Sequence, residues 1–287
     1  ENLFVDSNVT LYGTHEFDQI QLNADMAVTA LETLGNAAGA INLQTGSRLS
    51  IDLSSNNPAM ATTLSQQLAG DGVLEFVGIR TASFSGNNAG YSGTVHVGSG
   101  SSIALSDAGQ SGTGIHDVNG QVRFTGASDF SFLNTITGNG GLYFDGSGAV
   151  TLGGNNEAYS GTLTINDGTL VAAGSQSTGS GELSVELNGT LRLDNGAQDS
   201  VLLNDLYGAG LIVKRGTGTT TLTGGSNFNG TARIEQGALR VGLLDDLGAL
   251  PADVSAGAAL ILDYNDTTPL VVNTLINGQG QFIKEGS

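Results

Sequence analysis

The chain has 287 residues, with 45 Gly, 3 Pro, no Cys and no Trp, and its 27 Asp and Glu against 9 Lys and Arg leave a net charge of −18. So much Gly without Pro or a Gly-X-Y period excludes collagen, and 39% hydrophobic against 13% charged residues excludes a disordered tail. Long helices are disfavoured, because each Gly costs about 1 kcal/mol relative to Ala; the acidic balance argues against nucleic acid and anionic membranes as partners; zero Cys removes disulfide frameworks and thiolate metal sites. No apolar run approaches the ~18 residues of a transmembrane helix. The start, Glu1-Asn-Leu-Phe-Val, is no signal peptide, so any export signal is expected outside this sequence.

In chain order, residues 1–69 read as strands, with a block at Gly46-Ser-Arg-Leu-Ser-Ile-Asp-Leu. Residues 58–68 alone look helical, as a short helix or an extruded segment. Four Gly-x-Gly starts then share similar sequels: Gly70-Asp-Gly-Val-Leu-Glu-Phe, Gly138-Asn-Gly-Gly-Leu-Tyr-Phe, Gly208-Ala-Gly-Leu-Ile-Val-Lys and Gly278-Gln-Gly-Gln-Phe-Ile-Lys, spaced by 68, 70 and 70 residues. A second block follows in the first three, as Gly86-Asn-Asn-Ala-Gly-Tyr-Ser-Gly, Gly154-Asn-Asn-Glu-Ala-Tyr-Ser-Gly and Gly225-Ser-Asn-Phe-Asn-Gly. Three further blocks recur in order, the last being Phe132-Leu-Asn-Thr-Ile-Thr-Gly and Leu202-Leu-Asn-Asp-Leu-Tyr-Gly, with Val271-Val-Asn-Thr-Leu-Ile-Asn-Gly as the third copy. Five blocks in a fixed order establish an internal repeat.

Within a block, apolar residues alternate with small or polar ones, as in Thr162-Leu163-Thr164-Ile165. Period two predicts half-buried strands, and the intervening Gly, Asn, Asp and Ser predict turns. Many short strands at a steady period, with no long connections, predict an all-β, elongated, three-sided β-solenoid in which each strand pairs with its copy one coil away. A 70-residue unit is expected to hold about three coils of ~23 residues. The chain would then be a single β-helix of roughly 12 coils and on the order of 60 Å in length, at about 4.8 Å per coil. Gly70, Gly72, Gly93, Gly138, Gly140, Gly161, Gly208, Gly210, Gly230, Gly278 and Gly280 are assigned to repeat turns. The last copy, from Gly278, is cut short, so the chain is expected to be a piece of a longer protein.

These residues carry a resemblance. The run from Gly208 to Val241, with Thr219-Thr-Thr-Leu-Thr-Gly and Gly237-Ala-Leu-Arg-Val, resembles the passenger-associated transport repeat of bacterial autotransporters, including AIDA-type adhesins and self-associating members. Residues 138–171 are nearly as similar, residues 70–105 more loosely, and residues 278–287 resemble the start of a fourth copy. The resemblance implies a right-handed parallel β-helix passenger. It also implies a C-terminal outer-membrane β-barrel elsewhere in the protein, repeats that aid secretion and folding, and display at the bacterial surface or release after cleavage.

Catalysis finds little support in the residues. The histidines are His15, His96 and His116; His96 sits at a repeat position that points outward from a strand, and no Gly-Asp-Ser-Gly motif is present. Tyr91, Tyr159 and Phe228 are expected as core or stacking aromatics in repeated turns. The acidic pairs Asp245-Asp246, Asp263 with Asp266, and Asp199 with Asp205 lie in turn-rich segments, and adjacent strand residues face opposite ways. No catalytic residue, cofactor or metal is assigned. Stacked rows of Asn, Asp, Ser and Thr instead suggest contact with another copy on a neighbouring cell, through many weak interactions. Asn87, Asn88, Asn155, Asn156, Asn227 and Asn229 are the candidate contact residues. The expected function is adhesion, self-association or aggregation and biofilm formation; the alternatives are a host-glycan or matrix-protein adhesin, and the stalk of a passenger whose enzymatic part lies upstream.

Overall fold

The computed structural model describes residues 2–12, 15, 17–29, 34, 40–54, 62–242, 252–264 and 275–286. The fold is all-β, a β-solenoid of about 12 parallel turns. Every recorded strand pairing is parallel, and each joins a strand to one a coil further along the chain. The chain divides into two compact units, Glu1–Gly126 with Leu133–Leu142, and Ala127–Phe132 with Tyr143–Ser287.

In the first unit the chain steps from Gln67–Gly70 to Val73–Gly78 to Thr81–Phe84, each in a different sheet. It returns to the first face at Tyr91, which bridges Gly70. The second unit makes the same circuit through Leu206–Gly208, Leu211–Arg215 and Thr219–Leu222. Alternation drives the packing. In Thr162–Ile165 Leu163 and Ile165 are buried while Thr162 and Thr164 are not. Stacked coils then bury Leu, Ile, Val and Phe in columns, such as Leu170 on Leu191 on Ile212. Each fully buried side chain of this size contributes about 1.5–3 kcal/mol.

Within the repeats most coils are shorter than the expected ~23 residues. Val95 pairs with His116, 21 residues on, and Leu163 with Leu183, 20 residues on. A 70-residue repeat therefore spans about three and a third coils. The surplus third carries each copy on to a different sheet. In the first unit, the block ending at Gly70 belongs to the four-stranded sheet and the block ending at Gly138 to the seven-stranded one. In the second unit, the block ending at Gly208 lies in the nine-stranded sheet and that ending at Gly278 in the eight-stranded one.

The helix-like stretch also differs from expectation. Its first residues, 58–61, lie outside the described set. The rest forms the strands Thr63–Leu64 and Gln67–Gly70. Leu64, Gln66 and Leu68 are all buried, so the period there is two. Leu64 pairs with Phe84 and Leu68 with Ile41, and tertiary pairing overrides local helical preference.

Candidate interaction surface

The turns are built by glycines of two kinds. Gly70, Gly138, Gly208 and Gly278 have φ between 89° and 106°. A Cβ on Gly138 would also lie 2.2 Å from the Val118 carbonyl oxygen of the preceding coil. Only Gly meets both demands. Gly93 and Gly230 serve by close stacking: a Cβ there would come within 1.9 Å of Gly72 O and 2.0 Å of Gly210 O. A Cβ on Gly72, Gly140, Gly210 or Gly280 would come within 2.1–2.7 Å of the preceding coil. Gly161 is buried, and the Gly181 backbone passes directly above its carbonyl.

Beside these glycines stand the repeated aromatics, and Tyr91, Tyr159 and Phe228 are all fully buried. The Tyr91 hydroxyl accepts from Leu74 N–H at 3.0 Å and reaches the carbonyls of Gly72 and Thr94 at 2.9 and 2.8 Å. Burial, aided by the Asp71 charge, pushes its pKa well above the ordinary phenol value, against the Leu74 N–H, which lowers it. These tyrosines fasten corners and expose no hydroxyl for chemistry.

The six candidate asparagines separate into two groups. Asn88 and Asn156 are 0% and 1% exposed. Asn88 Oδ1 accepts from Leu68 N–H at 2.7 Å, and its Nδ2 donates to the Gln110 carbonyl one coil on. Asn156 Nδ2 donates to Ser177 O at 2.6 Å. These two staple coils together from inside. Asn87, Asn155, Asn227 and Asn229 are exposed. Asn87 and Asn155 each accept from the backbone N–H two residues on, at 3.0 and 3.2 Å, which is an Asx turn. The exposed asparagines do not stack on their own repeat copies. Asn155 faces an open depression with Gly174, Ser175 and Gln176. Asn227 continues the row Thr164, Ser184, Tyr207, with partners about one coil apart.

Two further buried asparagines were not singled out from the sequence. Asn134 Nδ2 donates to Gly112 O and Gly114 O at 3.1 and 2.8 Å, and Asn204 Nδ2 to Gly181 O at 2.8 Å. Both occupy the same place in the fifth repeated block, and that coincidence was the available signal. Lys214 stands where Phe76 stands in the first copy, and it too points inward. Its stem is buried and its Nζ donates to the Arg215 and Gly216 carbonyls. Burial lowers its pKa, opposed by Asp194 and Asp199.

The histidines occupy separate environments. His15 Nε2 lies 3.0 Å from Tyr12 O. His96 points outward, as expected, between Glu75 and Asp117 on neighbouring strands, with Nδ1 2.7 Å from Asp117 Oδ2. His116 faces the core, and burial lowers its pKa to about 4 against a backbone hydrogen bond with Gly114. Among the described residues no group of three His, Asp or Glu is placed to hold a metal ion. Asp199 and Asp205 each accept from a backbone N–H one coil on, at 2.7 and 2.6 Å. Asp263 contacts Arg240 at 3.2 Å. Asp245, Asp246 and Asp266 lie outside the described residues.

Comparison with known proteins places these turns and strands. The family model described as passenger-associated-transport-repeat matches residues 145–172 and 212–241, the second and third copies of the repeat. The chain is 30% identical over 148 residues to the adhesin BmaC autotransporter of Brucella suis biovar 1 (strain 1330), covering 49% of this chain and 4% of that protein. It is 28% identical over 256 residues to the uncharacterized protein YuaQ of Escherichia coli (strain K12), covering 79% of this chain and 17% of that one. The chain thus spans a small part of the length of these relatives. No solved structure matches significantly. The matched repeats and the adhesin relative support reading this chain as an autotransporter passenger segment that bears passenger-associated transport repeats.

Proposed function

We propose that this segment acts at the bacterial surface in adhesion, through contact with like segments on neighbouring cells, and that it does so without catalysis. The observation that carries the proposal is the coincidence of matched transport repeats with a regular solenoid surface, in a chain related to an autotransporter adhesin. Outward rows such as Thr164, Ser184, Tyr207 and Asn227 offer hydroxyl and amide groups at strand spacing. Each contact is weak, and parallel alignment of two such rows multiplies them. Aggregation and biofilm formation would follow from that pairing on whole cells. In the full-length protein, a C-terminal outer-membrane β-barrel would anchor or release the passenger, and the repeats would assist its secretion and folding.

A net charge of −18 opposes the pairing of like molecules at low ionic strength. Sedimentation velocity at increasing protein concentration and salt tests the reading. Association that strengthens as salt screens the acidic surface is expected. A monomer at all concentrations and salt levels would remove the self-association reading and leave host-surface binding.

A further inference from the structure

The four-stranded sheet of the first unit has an outer face on which the described strand residues carry no charge. Its strands are Asn2–Val5, Gln19–Leu22, Ala40–Leu43 and Gln67–Gly70. Val5, Ile20, Leu22, Ile41, Leu43 and Leu68 point into the core, so the alternate residues point out. Register sets them in two rows: Phe4, Gln21, Asn42 and Ala69 in one, with Asn2 beside Gln19 and Ala40 beside Gln67 in the other. Ala40 and Ala69 present only methyl groups, and a depression of about 140 Å³ forms among their taller neighbours. Phe4 stands at its rim, 61% exposed. Among the described residues no ionisable side chain lines it, in a chain that carries 27 Asp and Glu.

We propose that this depression binds a hexose unit of a neutral glycan. The chemistry matches group by group. A pyranose ring has one face of C–H bonds carrying partial positive charge, and the face of an aromatic ring is negative. Phe4 supplies that platform. The rim of a pyranose carries neighbouring hydroxyls that each donate and accept, and a carboxamide offers a carbonyl acceptor beside two N–H donors. Asn2, Gln19, Gln21 and Asn42 supply four such groups along the depression. Gln21 Nε2 reaches Asn23 Oδ1 at 3.3 Å, a long contact, and its carbonyl oxygen remains to accept from a sugar hydroxyl. A charged sugar finds no counter-ion among the described lining residues, and uronic or sulfated residues would meet the repulsion of the whole acidic chain. The site stands apart from the self-association reading and does not depend on it.

The test uses the intact chain at a concentration below any self-association seen by sedimentation. Immobilised neutral oligosaccharides ending in galactose, glucose, mannose or N-acetylglucosamine are compared with sulfated and uronic ones. Binding to at least one neutral oligosaccharide is expected, with Phe4→Ala and Gln21→Ala each weakening it about tenfold and Asn155→Ala leaving it unchanged. Both side chains of the site point outward, and thermal melts of the variants confirm that the fold is kept. Binding confined to acidic glycans, no neutral binding at millimolar sugar, or full binding by both folded variants would overturn the proposal.

Discussion

At the residue scale, neighbours of one amino-acid type do opposite work. Asn87 is exposed and closes its own turn, whereas Asn88 is buried and joins a strand of the preceding coil to a turn of the next. Replacing Asn88 by Ala leaves the buried Leu68 N–H without its acceptor and removes the bond to the part-buried Gln110 carbonyl. That costs about 1–3 kcal/mol, while Asn87→Ala costs about 0.5 kcal/mol or less; equilibrium denaturation of the two variants measures the contrast. His116 gives a second prediction. Its pKa is about 4 in the folded chain, below the ordinary 6.5. The unfolded state therefore binds more protons between these values, and stability falls as pH drops from about 6.5 to 4. The loss through this one group is on the order of 3 kcal/mol, and His116→Leu is expected to flatten that part of the stability–pH curve. Denaturant titrations at a series of pH values check it. Repeat position places His96 outward from the sequence alone, whereas His116 carries no such signal and its inward facing follows from strand register.

At the element scale, strands were plainly legible. Period-two alternation in Thr162–Ile165 and Thr190–Asp194 gives both the strand and its buried face. Coil length was less so. A repeat in sequence reports when the residue pattern returns, while a coil ends when the chain meets its own preceding strand. Here the two periods differ, so Gly70 and Gly138 are alike in sequence yet lie in different sheets. The same mismatch undoes the expectation that repeated asparagines stack on one another. Residues that touch, such as Asn156 and Ser177, come from different blocks and share no sequence signature. The turns can be tested through glycine. Gly138→Ala combines φ of 96° with a Cβ 2.2 Å from a backbone oxygen, and the coil must shift to admit it. A loss of at least about 3 kcal/mol is expected. Gly257 has φ of 82° but open space around its Cβ position, so Gly257→Ala should cost only the backbone term, about 1–2 kcal/mol. Melting temperatures of the two variants separate stacking from backbone strain.

At the scale of the whole molecule, abundant Gly, scarce charge and absent Cys follow from one architecture. Close-stacked coils require Gly at the turns, alternating strands need few charges, and the core of stacked Leu, Ile, Val and Phe columns needs no disulfide. The acidic excess is left on the outside, where it opposes association between copies until salt screens it. The proposed adhesion would depend on many aligned weak contacts, so its most direct test is on cells. The segment is displayed on a non-aggregating bacterium, and settling of the suspension is followed by optical density against cells displaying the same passenger without it. Faster settling that requires the segment on both partner cells is the predicted result. Equal settling with and without it, at matched surface display, would contradict the account.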